Sequence, residues 1–346
     1  MSDRSSFFTF AAAAAFSALS ATSVLAQEVT LRLHQFLPPQ ANVPVQVLDV
    51  WADRIEAESE GRIEIQRFGA MALGGTPPEL MDQVLDGIAD IVWTVNGFTP
   101  GRFPRTEVFE LPFFMQDARA ASYAYWRMYE EDMADTDFAG VHLLGTWVHG
   151  PGLLHTNTPV HQPADLQGLK IRGGSRTVND LLTRLGAEPV GMPVTMIPES
   201  LTRGVIDGTT IPWEVTTSLR VPELVSNHTE FEGAALYVLT FTLAMNQDVY
   251  DDLPDDLRAI IDRNSGLEFS VFAGGTQADA DGPARQIAVD RGNTIITVSG
   301  DDLQPWVDAV QPIYQSWVAD MEGRGIDGQA LIDRARELMA EYDAAN

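Results

Sequence analysis

The first third of the chain alternates between the hydrophobic spacing of strands and that of helices. Alternation of apolar and polar residues predicts strands at 29–33 and 63–65, and a short apolar run predicts a buried strand at 91–93. Apolar residues every three or four positions predict helices over 45–55 and 80–88. The resulting order βαβαβ predicts a largely parallel sheet covered by helices.

A second α/β unit is predicted from residue 147 onward. One apolar strand ends at Arg172, and Gly173-Gly174-Ser175 then opens a helix whose apolar face covers 178–185. A further short strand is predicted at 209–211. The region therefore repeats the α/β alternation of the first unit, although no sequence repeat accompanies it.

The last third of the chain is predicted to be mostly helical. Its apolar spacing predicts one helix of six or more turns from 253 to 271, followed by a strand at 295–298. Two closing helices are predicted over 306–317 and 331–342. No Pro-, Gly- or Ser-rich linker separates the halves of the chain. We therefore expect two lobes that are packed together or joined by hinge strands.

Charge and cysteine content exclude several kinds of protein. The 22 Lys and Arg residues against 49 Asp and Glu residues give a net charge of −27, which disfavours nucleic acid as a partner. The acidic residues are spread along the chain, as on a solvated surface. The chain has no cysteine, so thiolate metal sites, disulfides and thiol nucleophiles are excluded.

The N-terminus has the layout of a secretory signal peptide. Arg4 precedes an apolar, Ala-rich run over 7–19, and Val24-Leu25-Ala26 has the small or apolar residues of a cleavage site. We therefore predict export and cleavage after Ala26, and leave 1–26 out of the fold. A retained membrane anchor is the alternative, although the run is too short for a membrane span.

Motifs of catalytic and cofactor sites are missing from the sequence. There is no phosphate-binding loop, no dinucleotide-binding glycine pattern after the first strand, and no zinc-protease helix. His149, His155 and His161 recur every six residues, which matches neither a helix face nor a tight metal turn. We therefore predict no metal, no cofactor and no catalytic residue.

Arg172 is the first candidate binding residue. It closes an apolar strand just before a helix, and ligands of parallel α/β sheets bind at the carboxyl ends of the strands. Its guanidinium can hold a carboxylate through two parallel hydrogen bonds. Arg176, four residues further on, either supplies a second cation or pairs with a surface acid.

Aromatic and polar residues near other strand ends complete the candidate site. Trp213 follows a strand directly and is expected to pack over an apolar ligand, with a core position as the alternative. Glu214 is expected either to accept a ligand hydroxyl or to pair with Arg220. The other residues predicted to contact the ligand are His34, Phe36, Trp93, Asn96, Trp147 and His149.

Several short motifs follow one another in a fixed order along nearly the whole mature chain. The most specific runs from Asp165 to Arg172 and ends in the strand-end arginine. The others are Gly61-Arg62-Ile63, Leu73-Gly74-Gly75, Asp86-Gly87-Ile88-Ala89-Asp90, Leu185-Gly186-Ala187 with Pro189, Met192-Pro193, Val205-Ile206-Asp207-Gly208 and Leu253-Pro254. In this order they resemble the extracytoplasmic solute receptors of tripartite ATP-independent periplasmic (TRAP) transporters.

The resemblance implies an α/β, two-lobed periplasmic-binding-protein-like fold with hinge strands and a long hinge-spanning helix. Lobe I is expected to comprise 27–149 and about 237–276, and lobe II 150–236 and about 277–346. It also implies a periplasmic, monomeric receptor without enzymatic activity. A small organic acid would bind between the lobes at Arg172, and the receptor would then dock on a small and a large membrane subunit.

Two departures from the family pattern point to the kind of ligand. Many members carry a further arginine where this chain has Gly152-Leu153, and many have Asn where it has Ile211. Both changes remove polarity, and buried polar groups need partners. We therefore expect a monocarboxylate with an apolar or aromatic body, such as a hydroxybenzoate or a branched keto or hydroxy acid, enclosed by Trp213 and other aromatic residues.

Two other functions remain open at this point. An exported hydrolase could use a pair of carboxylates as acid and base, although no nucleophile motif supports it. A sensory ligand-binding protein would share the fold and the site. Stabilisation by a ligand that is not turned over separates binding from catalysis, and genes for two membrane subunits separate transport from sensing.

Overall fold

The computed structural model describes residues 27–346, so the predicted signal peptide and its cleavage site lie outside the described residues. The strands are β1 (Val29–His34), β2 (Ile63–Phe68), β3 (Ile91–Val95), β4 (Val141–Val148), β5 (Leu153–Thr156), β6 (Lys170–Gly173), β7 (Glu188–Gly191), β8 (Gly208–Ile211), β9 (Asn227–Phe231), β10 (Thr240–Asn246) and β11 (Thr294–Val298). They form two sheets.

The helices cover both sheets. They are α1 (Asp49–Glu58), α2 (Leu80–Leu85), α3 (Ala118–Met128), α4 (Arg176–Arg184), α5 (Ile197–Thr202), α6 (Trp213–Leu219), α7 (Val221–Leu224), α8 (Gln247–Asp251), α9 (Asp255–Arg263), α10 (Leu267–Asp279), α11 (Asp281–Asp290), α12 (Gln304–Gly323) and α13 (Gly328–Ala345). Within residues 27–346, none of them has the length and apolar character needed to cross a bilayer.

The five-stranded sheet has the order β2-β1-β3-β10-β4. Strand β1 runs parallel to β2 and β3, as the βαβαβ prediction required, whereas β10 is antiparallel to both β3 and β4. Strand β3 is buried along its whole length, because β1 and β10 flank it and helices cover its faces. We call this sheet and the helices packed on it lobe I.

The six-stranded sheet has the order β11-β9-β5-β8-β6-β7. Strand β6 is parallel to β7 and β8, and β5 is antiparallel to β8 and β9. Since β6 and β8 are neighbours, their carboxyl ends lie side by side at one edge of the sheet. We call this sheet and its helices lobe II, and the exact boundaries between the lobes stay a prediction.

The chain crosses between the sheets three times. It passes from β4 to β5 through 149–152, returns from β9 to β10 through 232–239, and crosses again along α10 and α11. Helix α10 packs on α3 and β4, and α11 packs on α6, so this pair of helices reaches from one lobe to the other. Two connecting segments thus take the place of the expected hinge strands, and a pair of helices that of the expected long hinge-spanning helix.

The predicted single helix over 253–271 is wrong. The structure divides it into α9 and α10 at Gly266, whose φ of 83° is accessible to glycine and strained for other residues. The Gly266 N–H donates to the carbonyl of Leu144, 2.8 Å away, which ties this break to strand β4. The hinge-spanning helix thus begins at α10, and α9 stays wholly on lobe I beside α1.

Candidate functional site

A cavity lies between the lobes, with an empty volume of about 410 Å³ that includes space open to solvent. Lobe I contributes an aromatic wall that includes Phe36, Trp93 and Phe241. Lobe II contributes Arg172 from the end of β6 and the segment after β8. The neighbouring carboxyl ends of β6 and β8 therefore meet the first sheet at this point.

Arg172 is the one basic side chain of the cavity lining, and it is buried to 1 % exposure. Its Nε donates to the Met192 carbonyl at 2.9 Å, and its Nη1 donates to the Thr210 carbonyl at 3.2 Å. Within residues 27–346, its Nη2 has no hydrogen-bond partner and no carboxylate pairs with it. Two carbonyls thus fix the guanidinium and leave one edge for a ligand.

The electrostatic surroundings of Arg172 favour an anion. Burial lowers the pKa of Arg172 to about 10, so the side chain still carries its proton at neutral pH. A buried charge without an opposite charge is unfavourable. A ligand carboxylate would supply both the missing acceptor and the missing charge.

Tyr237 brings a second donor to the same end of the cavity. Its buried hydroxyl has no hydrogen-bond partner in the described part of the chain, and burial raises its pKa to about 12 against the opposing charge of Arg172. The side chain of any residue other than glycine at position 152 would collide with the Tyr237 ring. Gly152 thus makes room for the Tyr237 ring.

Stacked aromatic rings build the lobe I wall. Trp93 stacks on Phe36 with ring centroids 4.6 Å apart, and on Phe241 with centroids 5.4 Å apart. Phe98 meets Phe36 edge-on at 5.4 Å. Trp147 lies parallel to Trp93 with centroids 6.1 Å apart and does not line the cavity itself. This wall offers flat apolar surface to a ligand ring.

Five of the ten residues predicted to contact the ligand line this cavity. They are Phe36, Trp93, His149, Arg172 and Glu214. His149 has no free nitrogen, because Nδ1 donates to the Gly150 carbonyl and Nε2 accepts the Leu239 N–H at 3.0 Å. Burial lowers the pKa of His149 to about 4, so the ring is neutral. It therefore shapes the cavity without offering a charge or a hydrogen bond.

Three further predicted residues are buried behind the cavity in lobe I. His34 contacts Gln83 through Nδ1 at 2.7 Å and accepts the Leu73 N–H through Nε2. Asn96 donates to Tyr125 and Thr240 and accepts from Thr242. Trp147 Nε1 donates to Gln277 at 3.0 Å. These side chains hold neighbouring elements together and do not face the cavity.

Trp213 is placed inside lobe II, where it does not line the cavity. It packs with Leu153, Ala284 and Ala288, so its ring faces α11. The rings of His155 and His228 contact it at centroid distances of 5.0 and 4.8 Å. Trp213 therefore occupies a core position, which was the alternative in the sequence analysis, and it does not pack over a ligand in this cavity.

Arg176 pairs with two acids outside the cavity. Its Nη2 donates to Glu107 at 2.7 Å and to Asp320 at 3.1 Å. Glu107 belongs to the 3-10 segment Pro104–Glu110 of lobe I, and it also accepts the Trp317 Nε1–H at 3.2 Å. The ion pair therefore joins lobe I to the start of α4 in lobe II.

Among the cavity residues that the sequence analysis missed are Tyr237, Phe241 and Gln277. Phe241 lies in β10, where Phe241, Leu243 and Met245 alternate with threonine and alanine. This period of two was a usable strand signal. Tyr237 lies in a connecting segment and Gln277 in helix α10. The hydrophobic spacing of these two segments does not indicate that either side chain points into the cavity.

Comparison with known proteins identifies the family. The family model of the bacterial extracellular solute-binding proteins, family 7, matches residues 35–320. A TRAP solute-binding protein from Rhodoferax ferrireducens T118, solved with copurified benzoate, is 45 % identical with a TM-score of 0.90, and the match covers 91 % of this chain and 99 % of that one.

Two further solved structures are similar over nearly the same length. A marine metagenome TRAP solute-binding protein in complex with 3-hydroxybenzoate is 40 % identical with a TM-score of 0.89, covering 92 % of this chain and 99 % of that one. One from Bordetella bronchiseptica with bound mandelate is 30 % identical with a TM-score of 0.83, covering 90 % and 99 %. The chain therefore belongs to the family 7 extracellular solute-binding proteins, the solute receptors of TRAP transporters.

Proposed function

We propose that this protein is a periplasmic receptor that binds a small aromatic monocarboxylate between its lobes and delivers it to TRAP membrane subunits. The observation that carries the proposal is the buried guanidinium of Arg172, which lines an aromatic cavity and forms no ion pair in the described residues. The ligand's acid group would bind Arg172 and Tyr237, and its ring would lie against Trp93 and Phe36.

The relatives support this class of ligand. Benzoate, 3-hydroxybenzoate and mandelate, which are bound to the three similar structures, are all monocarboxylates with one aromatic ring. At 45 % and 40 % identity over more than nine-tenths of the chain, the first two share its fold closely. The composition of the cavity agrees with the same class.

The charges of the cavity disfavour a dicarboxylate. Arg172 is its one basic side chain, because Arg176 is engaged by Glu107 and Asp320 outside it. A second ligand carboxylate would meet aromatic rings or the carboxyl of Glu214. A buried anion without a cation beside it is strongly unfavourable. We therefore expect succinate to bind poorly.

Members of this family are extracytoplasmic receptors that bind small organic acids and work with membrane subunits. We propose that this chain likewise releases its ligand unchanged and that it is exported through the predicted signal peptide. A sensory role would use the same cavity. Transport of labelled benzoate by vesicles that contain the two membrane subunits, dependent on this protein, would separate transport from sensing.

The test is a ligand panel on the purified chain 27–346. Benzoate, 3-hydroxybenzoate and mandelate are expected to raise the unfolding temperature, since a ligand at 100 times its Kd adds about 2.7 kcal/mol to the free energy of unfolding. Succinate and gluconate are the controls. Chromatography of the recovered ligand should show it unaltered. If no aromatic acid stabilises the protein, the proposal is wrong.

A further inference from the structure

The polar groups of the cavity are unequally engaged. His149 uses both ring nitrogens within the protein. Gln277 accepts from Trp147 and donates to Glu214. Once the acid group of a ligand has bound Arg172 and Tyr237, Glu214 still has one carboxyl oxygen without a hydrogen-bond partner in the described residues. An aromatic acid that has no second polar group would leave this oxygen unpaired.

Glu214 is held rigidly at the start of α6. Its Oε1 accepts the Nε2–H of Gln277 at 2.6 Å, and Gln277 is fixed in turn by Trp147. Its backbone N–H donates to Asp281 Oδ1 at 2.8 Å. Arg220, the pairing partner considered from the sequence, is bound to Glu223 instead. In the described residues Oε2 makes no hydrogen bond, so it is free for a ligand.

The surroundings of Glu214 keep its carboxyl neutral. Burial, with a smaller contribution from the charge of Asp281 on α11, raises the pKa of Glu214 to about 8 against the opposing hydrogen bond from Gln277 on α10. The other titratable groups of the cavity lining are Arg172, His149 and Tyr237. Because Oε1 accepts from Gln277, the acid proton of Glu214 resides on Oε2, which then donates.

Arg172 and Glu214 line the same cavity from different elements. Arg172 lies in β6 and Glu214 at the start of α6, and in the described residues the two form no ion pair. A ligand that satisfies both must therefore carry two polar groups, an anionic one for Arg172 and an uncharged one for Glu214.

We propose that Glu214 is a specificity-determining residue that hydrogen-bonds a ring hydroxyl of the ligand, so that the receptor selects hydroxylated aromatic acids over unsubstituted ones. The inference rests on the proposed function. A hydroxyl accepts the Glu214 proton, whereas a bare ring edge leaves a buried donor unpaired. An ammonium would require an ionised Glu214, and a second carboxylate would bring a buried negative charge with no cation beside it.

The test compares benzoate with 3- and 4-hydroxybenzoate by calorimetry at pH 7. The wild-type chain should prefer one hydroxybenzoate to benzoate by about tenfold or more. Glu214→Met should abolish this preference and change benzoate binding by less than about threefold. Glu214→Gln, which keeps an acceptor and a donor, should retain most of it. Glu110→Gln removes a buried carboxyl outside the cavity and should keep the full preference.

The outcomes separate this inference from the proposed function. If benzoate binds but hydroxyl groups bring no gain, or if the gain survives in Glu214→Met, the inference is wrong and the receptor function stands. If no aromatic acid binds, both fail. Binding of 3-(aminomethyl)benzoate more tightly than 3-hydroxybenzoate would also overturn it, because Glu214 would then be charged.

A pH series adds an independent readout. Between pH 6.5 and 8.5 the wild-type preference should change as Glu214 ionises and turns from a donor to the ligand hydroxyl into an acceptor from it. In Glu214→Gln the preference should stay constant, although Asp281, whose pKa burial raises to about 7, is still present. A wild-type preference that is constant across this range would contradict the role of the Glu214 proton.

Discussion

Arg172 and Arg176 lie four residues apart on either side of one strand-to-helix junction, and their surroundings differ completely. Arg172 is buried at the cavity and has no ion pair in the part of the chain that the structure describes, whereas Arg176 is bound to Glu107 and Asp320 and its side chain is 37 % exposed. The sequence analysis names both as candidate binding residues and leaves a surface ion pair open for Arg176. The difference shows that the acids within reach, more than the residue type, decide between a ligand site and a structural ion pair.

The two arginines suit different steps of binding. Ser175 between them caps α4 by accepting the Val178 N–H, and a Cβ at Gly97 would lie 2.5 Å from the Ser175 Cβ. The lobes therefore touch at this junction. Arg172 supplies charge to the ligand, and the pair of Arg176 with Glu107 stabilises the contact between the lobes.

The largest expected difference between the two sites is in ligand affinity. Arg172→Met should weaken benzoate binding by at least about 100-fold, since truncating one partner of a buried charge pair costs roughly 2–5 kcal/mol. Arg176→Met, the matched control, should weaken it by less than about tenfold. Calorimetry on both variants decides this, and equal losses would remove the distinction between the two sites.

The substitutions Arg172→Met and Arg176→Met should change the stability of the ligand-free protein in opposite directions. Replacing a buried unpaired charge by an apolar side chain of similar length is often stabilising, by about 1–4 kcal/mol. Arg172→Met should therefore raise the unfolding temperature without ligand, and Arg176→Met should lower it slightly by breaking an ion pair. If Arg172→Met instead destabilised the protein, the buried charge of Arg172 would already be balanced by other groups in the ligand-free site.

Two tryptophans sharpen the same comparison between the cavity and the lobe II interior. Trp93→Leu removes a stacked ring from the cavity wall and should weaken benzoate binding by about tenfold, in line with the roughly 0.5–1.5 kcal/mol of an aromatic pair. Trp213→Leu should leave affinity within about threefold while lowering stability. Similar affinity losses in both variants would place Trp213 at the ligand.

The smallest effect concerns Glu110, beside the Arg176 cluster. Burial raises its pKa from an ordinary 4.5 to about 7. Its contribution to stability is therefore fully present below pH 4.5 and is lost as the pH rises through 7. Glu110→Gln should stabilise the protein more at pH 8 than at pH 5, because burial penalises only the ionised carboxyl. Equal effects in melts at both pH values would exclude this ionisation.

The parts of the molecule that could be predicted are those that depend on local pattern. The βαβαβ unit and the position of Arg172 follow from periodicity and from the glycines after β6. The break at Gly266 was missed because the apolar spacing continues across it. The direction of the Trp213 ring depends on its packing with α11, some 70 residues away.

Tyr237 shows most clearly which part of the site the sequence pattern could not predict. Its ring reaches the cavity because residue 152, 85 positions earlier, is a glycine, and this contact leaves no trace in the spacing of either segment. Strand β10 did carry a signal, the alternation of Phe241, Leu243 and Met245, and it could have been predicted. The part of the site that could not be predicted therefore depends on contacts between single side chains that lie far apart in the sequence.

The most direct measurement is a crystal structure of residues 27–346 with benzoate. The account predicts the carboxylate within about 3.2 Å of Arg172 Nη2 and the Tyr237 hydroxyl, with the ring against Trp93 and Phe36. A complex in which benzoate lies outside this cavity, or in which Arg172 makes no contact with the acid group, would contradict it.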